Sequence, residues 1–295
     1  MKKLTTLLLF FFSLAALDWL ASTALCQDDV IKIETDLVLI NATVVDNSGR
    51  YVSKLKVKDF TLKEDGVKRE ISHFAAEETP FAAAILIDTS TSMKTRLSRA
   101  RVAASQFADN LRGDDVVSIY SFNTSVEMLQ EFSSERELSP KVLDMDAHGQ
   151  TRLYDCMYEA LEALSTRQEQ RKAVILISDG EDTKSYKSAE DALKLALKLG
   201  VTIYTIDIAE AAASRDGSQL RAAQIMKNLA EKTGGQYIKS IGGQTLAEKI
   251  VDISVELRSQ YTIGFYPEKR DEVKWHKLTL EVNKENVRVR ARQGY

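Results

Sequence analysis

The feature that most constrains the fold is a repeated alternation of short apolar runs with amphipathic stretches between Phe81 and Arg258. The apolar runs cover residues 82–87, 116–122, 174–177 and 201–208. Nearly continuous apolar strands are expected where both faces of a parallel sheet are covered. The stretches between them place apolar residues on one helical face, as do Leu97, Ala100, Ala104, Phe107 and Leu111. The alternation therefore predicts an α/β fold, with a mostly parallel sheet and helices on both faces.

The two flanks of this region have the pattern of β-structure. In residues 30–76 the apolar positions alternate with polar ones around residues 38–44, and Asp65-Gly66 is typical of a tight hairpin turn. In residues 259–295 the same period recurs at Tyr261, Ile263 and Phe265. We expect the two segments to pair into one small β-sandwich, with the α/β domain of residues 81–257 inserted between them. Two separate β appendages would give the same pattern.

The first 26 residues resemble a secretory signal peptide. Lys2 and Lys3 precede an apolar run over residues 7–17, and small residues follow it. The run is too short for a membrane span. Cleavage after Cys26 would leave an exported chain in the periplasm, in the cell envelope or in the medium. Cys26 could instead carry a lipid anchor, which is the only membrane attachment that the sequence suggests.

The charge of the chain argues against nucleic-acid binding, and its cysteine content rules out an internal disulfide. The chain has a net charge of −3, and loss of residues 1–26 removes two lysines and one aspartate, so the exported chain is more acidic by one unit. No basic run is present, so nucleic acid is not an expected partner. Beyond Cys26 the sequence contains only Cys156, which cannot form an internal disulfide and lies on an apolar helix face. We interpret Cys156 as a core residue.

Polar residues follow the predicted strands at the positions where each strand ends. Asp88, Ser90 and Ser92 follow the run at 82–87, Asp179 follows the run at 174–177, and Thr151 opens a helix between them. In an open parallel sheet, ligands bind beyond the carboxyl ends of the strands. We therefore expect these five side chains to lie near one another.

The oxygen atoms of this set favour a particular class of ion. Two carboxylates and three hydroxyls are hard donors, which select Mg²⁺, Mn²⁺ or Ca²⁺ over zinc or copper. Two carboxylates only neutralise a divalent ion. An ion held otherwise by hydroxyls and water stays electrophilic, so a carboxylate from a partner could complete its coordination.

The order Asp-x-Ser-x-Ser, Gly-x-Thr and Ser-Asp-Gly, each after a predicted strand or loop, resembles the metal-ion-dependent adhesion site of von Willebrand factor A domains. The resemblance covers residues 81–257 and implies a Rossmann-like fold. It also implies that Ser90, Ser92 and Thr151 coordinate Mg²⁺ directly, and that Asp88 and Asp179 act mostly through water. The segments at 59–66 and 257–266 resemble a bacterial family that places β segments around such a domain.

The predicted function is that of an exported, non-catalytic protein that binds a protein or peptide ligand through one divalent metal. The ligand would offer a carboxylate to the ion. Gln150, Glu181 and Asp182 would lie at the rim of the ligand site, although Glu181 and Asp182 also suit a solvated loop. Asp207 ends another strand and is interpreted as a loop or sheet-edge residue.

Alternatives exist for the individual motifs and for the function of the chain. Taken singly, Asp-x-Ser-x-Ser and Thr151 could cap helices, and Ser-Asp-Gly could be a turn. A haloacid-dehalogenase-like phosphatase would use Asp88 as nucleophile, but it needs a second acid where Ser90 stands. His148 has no obvious partner for a hydrolytic triad. The metal could also only stabilise the domain, or the chain could be a structural subunit of an envelope assembly.

Overall fold

The computed structural model describes residues 37–76, 78–209, 216–239, 246–267 and 275–295. The predicted signal peptide, including Cys26, lies outside these residues. Within them, no helix is both long and apolar enough to cross a membrane.

The described residues form thirteen strands, six α-helices and two short 3₁₀ helices. The strands are β1 (Val38–Asp46), β2 (Phe60–Glu64), β3 (Val67–Arg69), β4 (His73–Ala75), β5 (Phe81–Asp88), β6 (Val116–Phe122), β7 (Val126–Ser133), β8 (Arg171–Ser178), β9 (Thr202–Asp207), β10 (Tyr237–Lys239), β11 (Tyr261–Phe265), β12 (Leu278–Val282) and β13 (Val287–Arg290). The helices are α1 (Leu97–Asp109), α2 (Pro140–Leu143), α3 (Leu153–Ser165), α4 (Ala189–Leu199), α5 (Gly217–Thr233) and α6 (Leu246–Ser259).

The central sheet has six strands in the order β10-β9-β8-β5-β6-β7. All neighbours are parallel except β7, which runs antiparallel to β6 at one edge. Successive side chains of a strand point to opposite faces. In β5 the odd-numbered residues therefore pack with α1 and α6, and the even-numbered ones pack with α3 and α4. The predicted fold class, a mostly parallel sheet with helices on both faces, is confirmed.

The helix ends follow local sequence signals. Ser188 accepts a hydrogen bond from the backbone N–H of Asp191 and so caps the start of α4. Gly200 and Gly234 end α4 and α5 in the left-handed region, with φ of 66° and 84°. Glycine directly after the last helical residue is a common sequence signal for a helix end, and both positions carry it.

Gly234 has a second constraint that Gly200 lacks. A Cβ at Gly234 would lie 2.6 Å from the backbone of Ala291 and Arg292, whereas nothing approaches closer than 3.9 Å at Gly200. We expect Gly200→Ala to cost about 1 kcal/mol from the left-handed conformation alone. Gly234→Ala should cost about 1–3 kcal/mol more, because the added methyl forces a backbone shift. Urea denaturation of both variants measures the difference in the free energy of unfolding. Equal losses of stability would mean that the backbone at residues 291–292 shifts at little cost.

The flanking strands form two antiparallel sheets. One has the order β13-β1-β11-β4, and the other has the order β12-β2-β3. β1 pairs with β11 and with β13, and β2 pairs with β12, so the first strands of the described chain bond directly to its last ones. The two sheets share an apolar core that includes Ile40, Leu62 and Ile263. Asp65 and Gly66 connect β2 to β3 with positive φ, which is the geometry that the hairpin signal predicted.

A buried polar network joins β1 and β13 to the α/β region. The Glu256 carboxylate of α6 accepts hydrogen bonds from Thr43 (3.0 Å), from the Tyr204 hydroxyl (2.7 Å) and from the Arg290 guanidinium. The Gln260 amide donates to Tyr204 and Thr43. Because these groups are mostly shielded from water, the network requires all of its members to stay in place.

Candidate metal centre

Asp88 is the last residue of β5, and its carboxylate is fully buried. One oxygen accepts a hydrogen bond from the backbone N–H of Ser90 (2.8 Å), and the other accepts one from the Ser178 hydroxyl (2.7 Å). Within the described chain no Lys, Arg or His forms a salt bridge with it. Burial raises the pKa of Asp88 to about 6, against the lowering effect of Ser178 and Ser90, and nearby Asp179 raises it further. A buried carboxylate without a cation partner is costly, so this position suits a bound cation.

Ser90 and Ser92 follow Asp88 in a short 3₁₀ turn, Thr91–Met93. Ser90 occupies the N-cap position of this turn, but its side chain makes no capping hydrogen bond. Its hydroxyl instead lies 3.1 Å from the hydroxyl of Ser92. Ser90 is buried and Ser92 is exposed. The two hydroxyls thus form a close oxygen pair that extends from the buried carboxylate to the surface. The Ser90 side chain does not cap the turn, which was the alternative interpretation of this motif.

The loop that carries Thr151 is held against the same turn. The Gly149 carbonyl accepts hydrogen bonds from the backbone N–H and the hydroxyl of Thr91, and the backbone N–H of His148 donates to the Thr89 carbonyl. Gly149 has φ of +76°, and a Cβ there would lie 2.4 Å from the Thr124 hydroxyl, so glycine is required. Thr151 is buried at this edge. Its carbonyl accepts the N–H groups of residues 183 and 184, which joins this loop to the one that follows β8.

Asp179 follows β8, the strand next to β5, and is also buried. One of its oxygens accepts the backbone N–H of Glu181 at 3.3 Å. Asp179 has no salt-bridge partner in the described part of the chain. The negative charge of Asp179 raises the pKa of the Asp88 carboxyl. The ends of β5 and β8 thus bring Asp88, Ser90, Ser92 and Asp179 together, and the Gly149 contacts bring the loop of Thr151 beside them.

The three predicted rim residues have different surroundings. Gln150 is exposed, and its backbone N–H donates to the Thr124 hydroxyl. Glu181 accepts a hydrogen bond from the Ser218 hydroxyl. Asp182 is partly buried and accepts hydrogen bonds from the Leu153 N–H at the start of α3 and from the Ser185 hydroxyl. Asp182 therefore fixes a loop to a helix start, a role that sequence reasoning missed.

Two further residues differ from their sequence-based interpretation. Ser178 contacts Asp88 directly and also accepts the Gly180 N–H, and its only sequence signal was its place in Ser-Asp-Gly. Asp207 is not a loop or sheet-edge residue, so that interpretation was wrong. It ends β9, an interior strand, and is buried with its carboxylate accepting from Tyr237 and from the Ala209 N–H.

The donor set fits a hard divalent cation. It offers two buried carboxylates and the hydroxyls of Ser90, Ser92 and Thr151, and it has no sulfur or imidazole donor. In the described ranges no cluster of three or more His, Cys, Asp or Glu side chains is present, so a carboxylate-rich cage of that kind is not found here. A hydroxyl-rich site with two carboxylates suits an ion such as Mg²⁺, which keeps several waters and takes few protein oxygens.

The raised pKa of Asp88 predicts how the metal-free protein responds to pH. Its folded-state pKa of about 6 lies above the ordinary 3.8, so the folded state holds the proton more tightly, and stability falls as pH rises between these values. Asp88→Asn removes this loss and keeps an acceptor for Ser90. We expect it to raise the free energy of unfolding by at most roughly 3 kcal/mol at pH 7.5, and by roughly 1 kcal/mol at pH 4.5.

Urea denaturation in the presence of a chelator measures both differences. A gain that is the same at the two pH values would show that burial of the Asp88 charge is not its source.

The comparisons with known proteins agree with this architecture. Residues 83–181 match the family model of the von Willebrand factor type A domain. No curated protein matches the sequence. Among solved structures, a von Willebrand factor type A protein from Catenulispora acidiphila superposes with a TM-score of 0.52 at 15% identity, covering 78% of this chain and 71% of that one.

Two further solved structures belong to pilus proteins. The vWF domain of the type V pili tip protein Mfa5 from Porphyromonas gingivalis gives a TM-score of 0.53 at 14% identity, over 66% of this chain and 100% of that one. The pilus adhesin SpaC from Lactobacillus rhamnosus GG gives 0.53 at 10% identity, over 84% of this chain and 49% of that one. At these identities the likeness shows the fold, and the von Willebrand factor A resemblance of the sequence is confirmed.

Proposed function

We propose that this chain is an exported, non-catalytic binding protein that captures a protein or peptide ligand through one Mg²⁺ ion. Mn²⁺ or Ca²⁺ would serve in its place. The observation that carries the proposal is the edge formed by the ends of β5 and β8. There a buried carboxylate without a cation partner in the described chain lies beside two hydroxyls that are 3.1 Å apart. Von Willebrand factor A domains are in general interaction modules, and two of the structural relatives are pilus proteins by name.

The residues of the proposed site divide into groups with different roles. The hydroxyls of Ser90, Ser92 and Thr151 bind the ion, and Asp88 and Asp179 neutralise it, mostly through water. Ser178 orients Asp88 by donating to one of its oxygens. Because Ser92 is exposed, the ion would have a coordination position that faces solvent, and an Asp or Glu side chain of the ligand would fill it. Gln150 and Glu181 would border the ligand.

An enzymatic alternative is not favoured by the surroundings of Asp88. A phosphatase nucleophile needs an acid/base carboxylate close by. In such an enzyme this second acid stands two positions after the nucleophile, where this chain has Ser90, and a serine hydroxyl cannot replace it. Within the described residues, the imidazole of His148 has a hydrogen-bond contact only with the Asn123 amide, at 3.4 Å.

Soaking crystals of the protein with Mn²⁺ tests the proposed site. We expect one anomalous difference peak beside the hydroxyls of Ser90 and Ser92, and none in crystals of Ser92→Ala. The loss is expected because a hydroxyl ligand contributes directly to affinity, whereas alanine supplies no donor. A peak elsewhere on the chain, or an unchanged peak in the Ser92 variant, would contradict the assignment.

A further inference from the structure

Tyr186 is the most exposed of the large apolar and aromatic side chains in the described residues, with 89% of its surface accessible. An aromatic ring that remains in water gives up the free energy that its burial would provide. A flexible loop would explain such exposure. The loop that carries Tyr186 is instead held by hydrogen bonds, so the exposure of the ring calls for another explanation.

The loop between β8 and α4 is fixed to the start of α3 by a series of hydrogen bonds. Asp155 accepts the backbone N–H groups of Tyr186 (3.0 Å) and Lys187 (2.9 Å). The Ser185 hydroxyl accepts the N–H groups of Tyr154 and Asp155, at 3.0 and 3.1 Å. These bonds fix the backbone on both sides of the ring. The ring therefore points into solvent in a preorganised position, which lowers the entropy cost of using it in binding.

One cation lies beside the ring, and two lysines belong to the same loop. The guanidinium of Arg152 lies 5.0 Å from the centre of the Tyr186 ring and is held by a salt bridge to Asp155 (2.7 Å). Lys187 places its amine 4.2 Å from the Tyr158 ring, and Lys184 is exposed. Neither lysine forms a salt bridge within the described residues. We call the surface of Arg152, Lys184, Tyr186 and Lys187 the aromatic-basic platform.

The platform adjoins the proposed metal centre. Arg152 directly follows Thr151, and the Thr151 carbonyl accepts the N–H of Lys184 at 2.9 Å. An extended peptide advances roughly 3.3 Å per residue. A ligand whose carboxylate sits at the ion would therefore reach the platform with residues a few positions along its chain.

We infer that the aromatic-basic platform is the second contact of the ligand, and that it selects an acidic peptide segment. This inference rests on the proposed function, since it places the platform beside the ligand's metal-bound carboxylate. Arg and Tyr are the residue types enriched at the energetic centres of interfaces. The amines of Lys184 and Lys187, which form no salt bridge within the described residues, complement additional Asp or Glu residues, and the Tyr186 ring packs against the apolar parts of the segment.

The test uses biotinylated heptapeptides with a central Asp, immobilised on streptavidin sensors, with either Glu or Lys at the flanking positions. In Mg²⁺ we expect the wild-type protein to bind the Glu-flanked peptide at least about tenfold more tightly than the Lys-flanked one. Tyr186→Ala should weaken binding of the Glu-flanked peptide about tenfold. The double variant Lys184→Ala, Lys187→Ala should remove most of the preference for Glu. Tyr266→Ala is the matched control, because Tyr266 is 53% exposed and follows β11, away from the platform.

Titration of each variant with Mg²⁺ separates the two proposals. If the wild-type protein binds no metal, the proposed function itself fails. If it binds Mg²⁺ but shows no preference for Glu flanks, either because no peptide binds or because Lys flanks serve equally well, the platform assignment is overturned. The same holds if Tyr186→Ala changes peptide binding no more than Tyr266→Ala does.

Discussion

Asp88→Ala is expected to lower the affinity for Mg²⁺ by about 100-fold or more and to abolish metal-dependent ligand binding. The Asp88 carboxylate supplies one of the two negative charges that would neutralise the ion, and it lies between Ser90 and Ser178. Alanine leaves Asp179 as the single carboxylate of the set. The hydroxyl pair of Ser90 and Ser92 would then lose the group that fixes the Ser90 backbone.

The fold should survive this substitution. Removing a buried, unpaired charge offsets the loss of two hydrogen bonds, so we expect the free energy of unfolding without metal to change by about 1 kcal/mol or less. Asp144→Ala is the matched control, because Asp144 is exposed and lies outside the strand-end edge. Circular dichroism and calorimetry report fold and metal binding separately. An Asp88→Ala protein that is folded and still binds Mg²⁺ with wild-type affinity would show that the ion, if present, lies elsewhere.

Glu256→Ala is expected to give the largest loss of stability, about 3–5 kcal/mol. The carboxylate accepts hydrogen bonds from Thr43 and Tyr204, and it pairs with the Arg290 guanidinium. Its removal leaves a mostly buried cation and two buried hydroxyls without their acceptor. The loss should appear as one cooperative transition, because the network spans β1, β13 and the α/β region.

A control on the same helix isolates the effect of burial. Asp252 lies one turn before Glu256, is exposed, and pairs only weakly with Lys249 at 3.4 Å. We expect Asp252→Ala to cost less than about 1 kcal/mol in urea denaturation. Glu256→Gln should recover part of the loss, since an amide oxygen still accepts from Tyr204. If Glu256→Ala were as stable as Asp252→Ala, the buried network would not join the two parts of the chain in solution.

The backbone architecture was predictable because it follows from local patterns. Nearly continuous apolar strands predicted a sheet covered on both faces, and β5 packs on both. Gly200 and Gly234 predicted helix ends, because only glycine takes the left-handed conformation at low cost. The strand-end rule predicted that Asp88 and Asp179 would share one edge, and the pairing of β5 with β8 brings them there.

Side-chain partners that lie far apart in sequence were not predictable. Ser178 donates to Asp88 across 90 positions, and Thr43 reaches Glu256 across 213. No local pattern specifies such contacts, since they depend on how elements pack. Asp207 was misassigned for the same reason. A carboxylate at a strand end resembles a loop residue in sequence. In the structure, β10 pairs with β9 on its outer side, so β9 is an interior strand and Asp207 is buried.

Calorimetric titration of the purified, metal-free protein with Mg²⁺ is the decisive measurement for the proposed binding of one divalent ion at the ends of β5 and β8. Parallel titrations with Mn²⁺ and Ca²⁺ define the selectivity. We expect saturable binding of about one ion per chain, because the site is a single cluster of hard oxygen donors. The absence of saturable binding for all three ions would contradict it.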